Sequence, residues 1–258
     1  MHRRGLLVDI DGVLTVSWKP LPGVGEALGR LRGAGISMVF VTNTTSVTRN
    51  SIAAHLQGVG FSIDVSEILT AASTTAAVIH RDHPGARCWM VGDADVAADL
   101  DDIDLVGVDE LPEVVVLGGA GPEFDYPTLN RIFRLAMDGT PVVAMHRNLY
   151  WMTKDGLQLD TGAFVGVIEQ AADIEVTVTG KPSPACFEGA LEMLDLAPAD
   201  VAMVGDDLYS DVLGAQAMGI EGVLVRTGKF RGETLAGSSL APDHVVDSFA
   251  DIPGLLGL

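Results

Sequence analysis

Short apolar runs that stop at polar residues, and alternate with longer helical patterns, constrain this chain more than any other feature. Residues 5–10, 37–42, 201–204 and 222–225 read as strands, and residues 23–33, 47–59, 184–194 and 210–218 as helices, with a further short strand at 176–178. Strands alternating with helices give βαβ units, hence a doubly wound α/β fold with a parallel sheet. In such a sheet the carboxyl ends of all strands share one edge, where ligands bind. Three strands end there in groups of kindred chemistry: Asp9 and Asp11 after the first, Thr42, Asn43 and Thr44 after the second, and Gly205-Asp206-Asp207 after a third, with Asp211 one turn on.

Residues alternate faces along a strand, so Asp9 and Asp11 share one side while Gly12 permits a tight turn. One carboxylate can attack phosphorus as a nucleophile while its neighbour moves the proton. Two carboxylates about 4 Å apart repel by about 4 kcal/mol at an effective dielectric of ~20, which calls for a cation. Asp206 beside that pair completes the oxygen set that Mg²⁺ prefers, so Asp9, Asp11 and Asp206 are the expected metal ligands. Thr42, Asn43 and Thr44 offer uncharged phosphate contacts, although helix capping describes that segment equally well. Lys181, in Gly-Lys-Pro before a helix, supplies the positive charge that phosphoryl transfer requires.

The middle of the chain has its own strands, at 87–91, 114–117 and 141–145, and a helix at 126–137. The expected organisation is therefore a catalytic core of residues 1–75 and 174–258 with an inserted, smaller α/β domain of residues 76–173. His146, with Arg147, Tyr150 and Trp151, is the candidate for substrate recognition in the insert, against the alternative of a strand-end histidine satisfied by backbone.

Bulk properties narrow the partners. Sixteen basic residues against thirty-five acidic ones give a net charge of -19, which repels nucleic acid. The basic start, Met1-His2-Arg3-Arg4, is not followed by a signal-peptide core, because Asp9 and Asp11 interrupt it, and no apolar run is long enough to span a membrane. Cys88 and Cys186 have no metal-ligand spacing, so reduced thiols and a cytoplasmic location are expected. Asp93-x-Asp95 lacks the rest of a calcium loop, and Gly118 to Pro122 fails the spacing of a dinucleotide fingerprint.

In chain order, Asp9-x-Asp11-Gly12-Val13, Thr42-Asn43, Lys181-Pro182 and Gly205-Asp206-Asp207 to Asp211 resemble the four short motifs of the haloacid dehalogenase superfamily. An insert between the second and third motifs resembles the subfamily IIA, NagD-like members with a C2-type cap. Residues 179–192 and 202–230 are similar to members of the phospholysine phosphohistidine inorganic pyrophosphate phosphatase type. The resemblance implies a Mg²⁺-dependent phosphatase acting on a small phosphorylated metabolite through a phosphoaspartate. Its implied roles are Asp9 as nucleophile, Asp11 as acid/base, Gly12, Thr42, Asn43 and Thr44 at the phosphate, Lys181 as charge clamp, Asp206 as metal ligand and Asp207 and Asp211 as supporting residues. A phosphate-responsive signalling module and a phosphomutase are the alternatives, and the assembly state, homodimer included, is left open.

Overall fold

The computed structural model describes residues 3–153 and 156–258; Met1 and His2 of the basic start lie outside them. Two compact units account for the chain: residues 1–42, 49–69 and 181–258 form one, and residues 43–48 and 70–180 the other.

The first unit is built on a six-stranded sheet in the order His244–Val246, Glu221–Val225, Val201–Gly205, Gly5–Asp9, Ser37–Thr42 and Ile68–Thr70. Gly5–Asp9 pairs in parallel with Val201–Gly205 on one side and Ser37–Thr42 on the other, in a register that sets Val8 opposite Val204 and Asp9 opposite Val41. A central parallel strand is covered on both faces, which is why Leu6, Leu7 and Val8 run without alternation and are fully buried. Burying side chains of this size contributes about 1.5–3 kcal/mol each. Helix Val24–Gly33 buries Val24, Ala27, Leu28 and Leu31, the spacing of one helical face, and stops before Gly35, which adopts φ +78°. Helix Pro184–Leu194 packs Cys186, Phe187 and Ala190 against Leu7, Val39 and Met203.

The second unit has a five-stranded sheet ordered Thr177–Val178, Val142–Ala144, Val114–Leu117, Arg87–Val91 and Asp104–Leu105, with a separate hairpin of Tyr150–Thr153 and Gly156–Leu159. Helix Tyr126–Met137 starts at Asp125, whose carboxylate accepts from Thr128 N at 2.8 Å, and buries Ile132, Leu135 and Ala136. The strand expected at 176–178 as part of the core sheet belongs here instead, with Thr177 opposite Val143. Two paired residues carry too little pattern to announce which sheet takes them. Position 76, the expected start of the insert, falls inside helix Ala71–Asp82, which opens on a reciprocal cap between Thr70 and Ser73. Among the described residues no helix is long and apolar enough to cross a membrane.

Candidate active site

Three loops at the carboxyl edge of the first sheet bring distant residues together. Asp9 ends its strand 7% exposed, Asp206 directly follows Val201–Gly205 and is 2% exposed, and Lys181 lies 4% exposed at the entry to helix Pro184–Leu194. The Lys181 ammonium donates to Asp9 Oδ1 at 2.5 Å, pairs with Asp211 Oδ1 at 2.7 Å and reaches the Val41 carbonyl at 3.3 Å. One carboxylate oxygen each from Asp9, Asp206 and Asp211 lies within 4.8 Å of the others.

Local backbone explains how the acids fit. Residues Leu208–Leu213 wind as a π-helix, a form common at functional sites, and this carries Asp211 back against the strand. A β-carbon on Gly205 would sit 2.4 Å from Asp211 Oδ2, so only glycine leaves room for that carboxylate. Asp211 Oδ2 accepts from Asp207 N at 3.1 Å, while Asp207 Oδ1 accepts from Tyr209 N at 2.9 Å and Ser210 N at 3.0 Å. Gly12, at φ +92°, abuts Asp206 so closely that an added β-carbon would fall 1.8 Å from Oδ2. The Gly12 carbonyl accepts a hydrogen bond from the Thr227 hydroxyl.

The electrostatics follow from this crowding. Burial, with the charges of Asp9 and Asp211 beside it, pushes the Asp206 carboxyl up to about 8. Asp211 is pushed up to about 6, chiefly by burial, with Lys181 opposing the rise and Asp9 adding to it. Burial works against the Lys181 charge, yet Asp211 and Asp9 outweigh it and hold the ammonium well above its ordinary value. These carboxylates are unequal. Asp211 Oδ1 is held by the Lys181 ion pair alone and its Oδ2 accepts from Asp207 N, whereas Asp206 Oδ2 accepts from Lys229 N at 2.6 Å and Asp206 Oδ1 is buried with neither an ion-pair nor a hydrogen-bond partner among the described residues. An orphaned buried carboxylate oxygen beside two more acids fits a hard cation.

The sequence-derived site residues divide accordingly. Asp9, Lys181, Asp206 and Asp211 meet, and Gly12 and Thr42, the latter 4% exposed at the end of its strand, belong to the same unit. Asp11 does not join the three carboxylates: its side chain is exposed and accepts a long 3.4 Å bond from Ser17 N. The turn that Gly12 opens sets its side chain apart from that buried group. Asp207 caps the following turn. Lys229 was missed: burial disfavours its charge, but Asp9, Asp206 and Asp211 together raise it. A Gly-Lys pair just beyond strand Glu221–Val225 was the available signal.

Asn43 and Thr44 belong to the second unit, where Asn43 Oδ1 would stand 2.6 Å from a β-carbon on Gly180. His146 is there too and is only 1% exposed. Its Nε2 lies 3.3 Å from Thr45 Oγ1 and 3.7 Å from Asp160 Oδ1, and Nδ1 faces Asn148 N at 3.3 Å. A ring enclosed in this way ties segment 43–48 to its unit.

Comparison with known proteins agrees with this geometry. Residues 6–106 match the family model of haloacid dehalogenase-like hydrolases, and residues 178–252 a second model of HAD-like hydrolases. Haloacid dehalogenase-like hydrolase domain-containing protein 2 of Homo sapiens is 38% identical over 228 residues, covering 88% of this chain and 86% of the relative. Phospholysine phosphohistidine inorganic pyrophosphate phosphatase of Danio rerio is 34% identical over 253 residues, covering 96% and 92%. A p-nitrophenyl phosphatase from Archaeoglobus fulgidus superimposes with a TM-score of 0.92 at 30% identity, covering 99% of this chain and all of that one. The glycerol phosphate phosphatase of Mycobacterium tuberculosis, solved in complex with magnesium, gives 0.84 at 27% identity, covering 96% and 76%. A putative NagD protein gives 0.88 at 25% identity, covering 99% and 98%. The chain belongs to the haloacid dehalogenase-like hydrolase family, among its NagD-like members, and is a phosphatase-type enzyme.

Proposed function

We propose that this protein is a Mg²⁺-dependent phosphatase that hydrolyses a small phosphorylated metabolite through a phosphoaspartate on Asp9. The observation that carries the reading is the Lys181 ammonium set between Asp9 and Asp211, with Asp206 Oδ1 unspent beside them. Asp9 and Asp206 would hold the ion, which when bound supplies charge neutralisation for an incoming phosphoryl group. A carboxylate oxygen of Asp9 attacks phosphorus as the bond to the leaving oxygen breaks, and Asp11 gives that oxygen a proton. Asp11 then takes a proton from water as it attacks the phosphoaspartate, releasing inorganic phosphate and restoring Asp9. Lys181 neutralises both Asp9 and the transferring group, and Asp211 holds Lys181 in place. Thr42 closes the end of its strand as a neutral donor to phosphate oxygens.

Hydrolysis is proposed over phosphoryl relay because Asp11 stands two residues from the acceptor with an exposed carboxylate, ready to serve water. Neither cysteine forms a disulfide and both are buried, which suits the reducing cytoplasm to which we assign the enzyme. Purified protein with Mg²⁺ should release phosphate from p-nitrophenyl phosphate, acetyl phosphate or pyrophosphate, and Asp9→Asn should abolish release while leaving the fold intact. Activity retained by Asp9→Asn would refute the nucleophile. Transfer of the phosphoryl group to an added hexose phosphate, rather than to water, would turn the reading toward a mutase.

A further inference from the structure

A cleft of about 240 Å³ opens in the first unit on the flank of the acidic cluster, and Asp206 belongs to both. Its floor is apolar, made by Leu208 and Leu224, which are both buried. Tyr209, 56% exposed, and Phe230 supply aromatic walls, and Lys229 and Arg231 supply positive charge. Arg231 donates only to main-chain carbonyls, to Phe230 O at 2.8 Å and Gly228 O at 3.4 Å, and no carboxylate pairs with it among the described residues. The two carboxylates of the lining are already engaged: Asp207 Oδ1 accepts two backbone N–H groups, and Asp206 Oδ2 accepts from Lys229 N while its other oxygen belongs to the cluster. An apolar floor, aromatic walls and a spare fork-shaped donor form a recognition site for a flat group ending in an anion.

We propose that this cleft selects phosphomonoesters whose leaving group is aromatic and carries a second negative charge, the ring lying between Tyr209 and Phe230 and the anion on Arg231. This rests on the phosphatase reading, which fixes the phosphoryl group at Asp9.

The test compares kcat/KM for 4-carboxyphenyl phosphate and phenyl phosphate in the wild type, Arg231→Ala and Arg231→Lys, so that intrinsic reactivity cancels within each ester. The ratio favouring the carboxylated ester should fall about tenfold in Arg231→Ala, mainly through KM, as loss of one charge-assisted contact predicts, with Arg231→Lys recovering part of it. An unchanged ratio would overturn the proposal. If the wild type hydrolyses neither ester, the phosphatase reading is judged separately, failing if p-nitrophenyl phosphate, acetyl phosphate and pyrophosphate also yield no phosphate, and the cleft is then judged by calorimetric binding of 4-carboxyphenyl phosphate. Asp9→Asn should bind it more tightly than Asp9→Asn with Arg231→Ala; equal affinities would overturn the cleft.

Discussion

The two units treat buried polar groups in opposite ways. In the second unit Asp160 caps helix Thr161–Ala172, accepts from Thr161 N at 2.9 Å and Ala120 N at 3.3 Å, and lies 3.7 Å from the enclosed ring of His146; the Thr161 hydroxyl bonds to the Gly118 carbonyl. In the first unit three acids crowd together with Lys181 held between two of them, Asp206 Oδ1 has no hydrogen-bond partner among the described residues, and Asp206 and Asp211 are displaced upward in pKa. A satisfied network supports the fold, whereas an unsatisfied one costs stability until a ligand arrives. The contrast separates structural polar groups from functional ones without reference to motif lettering.

Exchanging the roles of the two networks is the way to break that comparison. The largest effect should come from Asp9→Asn, which leaves about 10³-fold less turnover or lower because the nucleophile itself is gone. Lys181→Met should cost about 10²–10³-fold in kcat, and steady-state kinetics on p-nitrophenyl phosphate would measure both. Gly12→Ala should also inactivate, since its β-carbon would meet Asp206 at a φ that suits glycine. His146→Ala should act in the other direction, lowering stability by about 1–3 kcal/mol in denaturant melts while leaving Mg²⁺ affinity unchanged. A loss of metal affinity in His146→Ala would erase the distinction.

The same cluster sets a pH dependence. Asp206 and Asp211 have folded values near 8 and 6, above their ordinary 3.8, so the metal-free fold keeps protons that the unfolded chain has released. Its stability should therefore fall as pH rises from about 4 to about 8 and level off above. Added Mg²⁺ should stabilise increasingly over the same window, and thermal melts across pH with and without the ion would show it.

Much of the first unit was legible because strands Gly5–Asp9, Ser37–Thr42 and Val201–Gly205 are continuous apolar runs that stop at polar or acidic residues, the pattern a buried parallel sheet with a functional edge produces. The second unit was less so. Helix Ala71–Asp82 is rich in alanine and threonine and gives little periodic contrast, and hairpin Tyr150–Leu159 leaves Tyr150, Leu157 and Leu159 exposed, so no alternation marks it. At the site, spacing along the chain revealed which acids share an edge but not which oxygens are already taken. For that reason the close approach of the Asp211 carboxylate to those of Asp9 and Asp206 was not legible, and Lys229 was overlooked.

The central claim, that the Asp206 carboxylate is kept for a cation, is tested most directly by melting Asp206→Asn and the wild type at pH 8 with and without Mg²⁺. The account predicts that the metal-free variant is at least as stable as the metal-free wild type and has lost the stabilisation by Mg²⁺. A variant that melts earlier without the ion and is still stabilised by Mg²⁺ to the wild-type extent would contradict it.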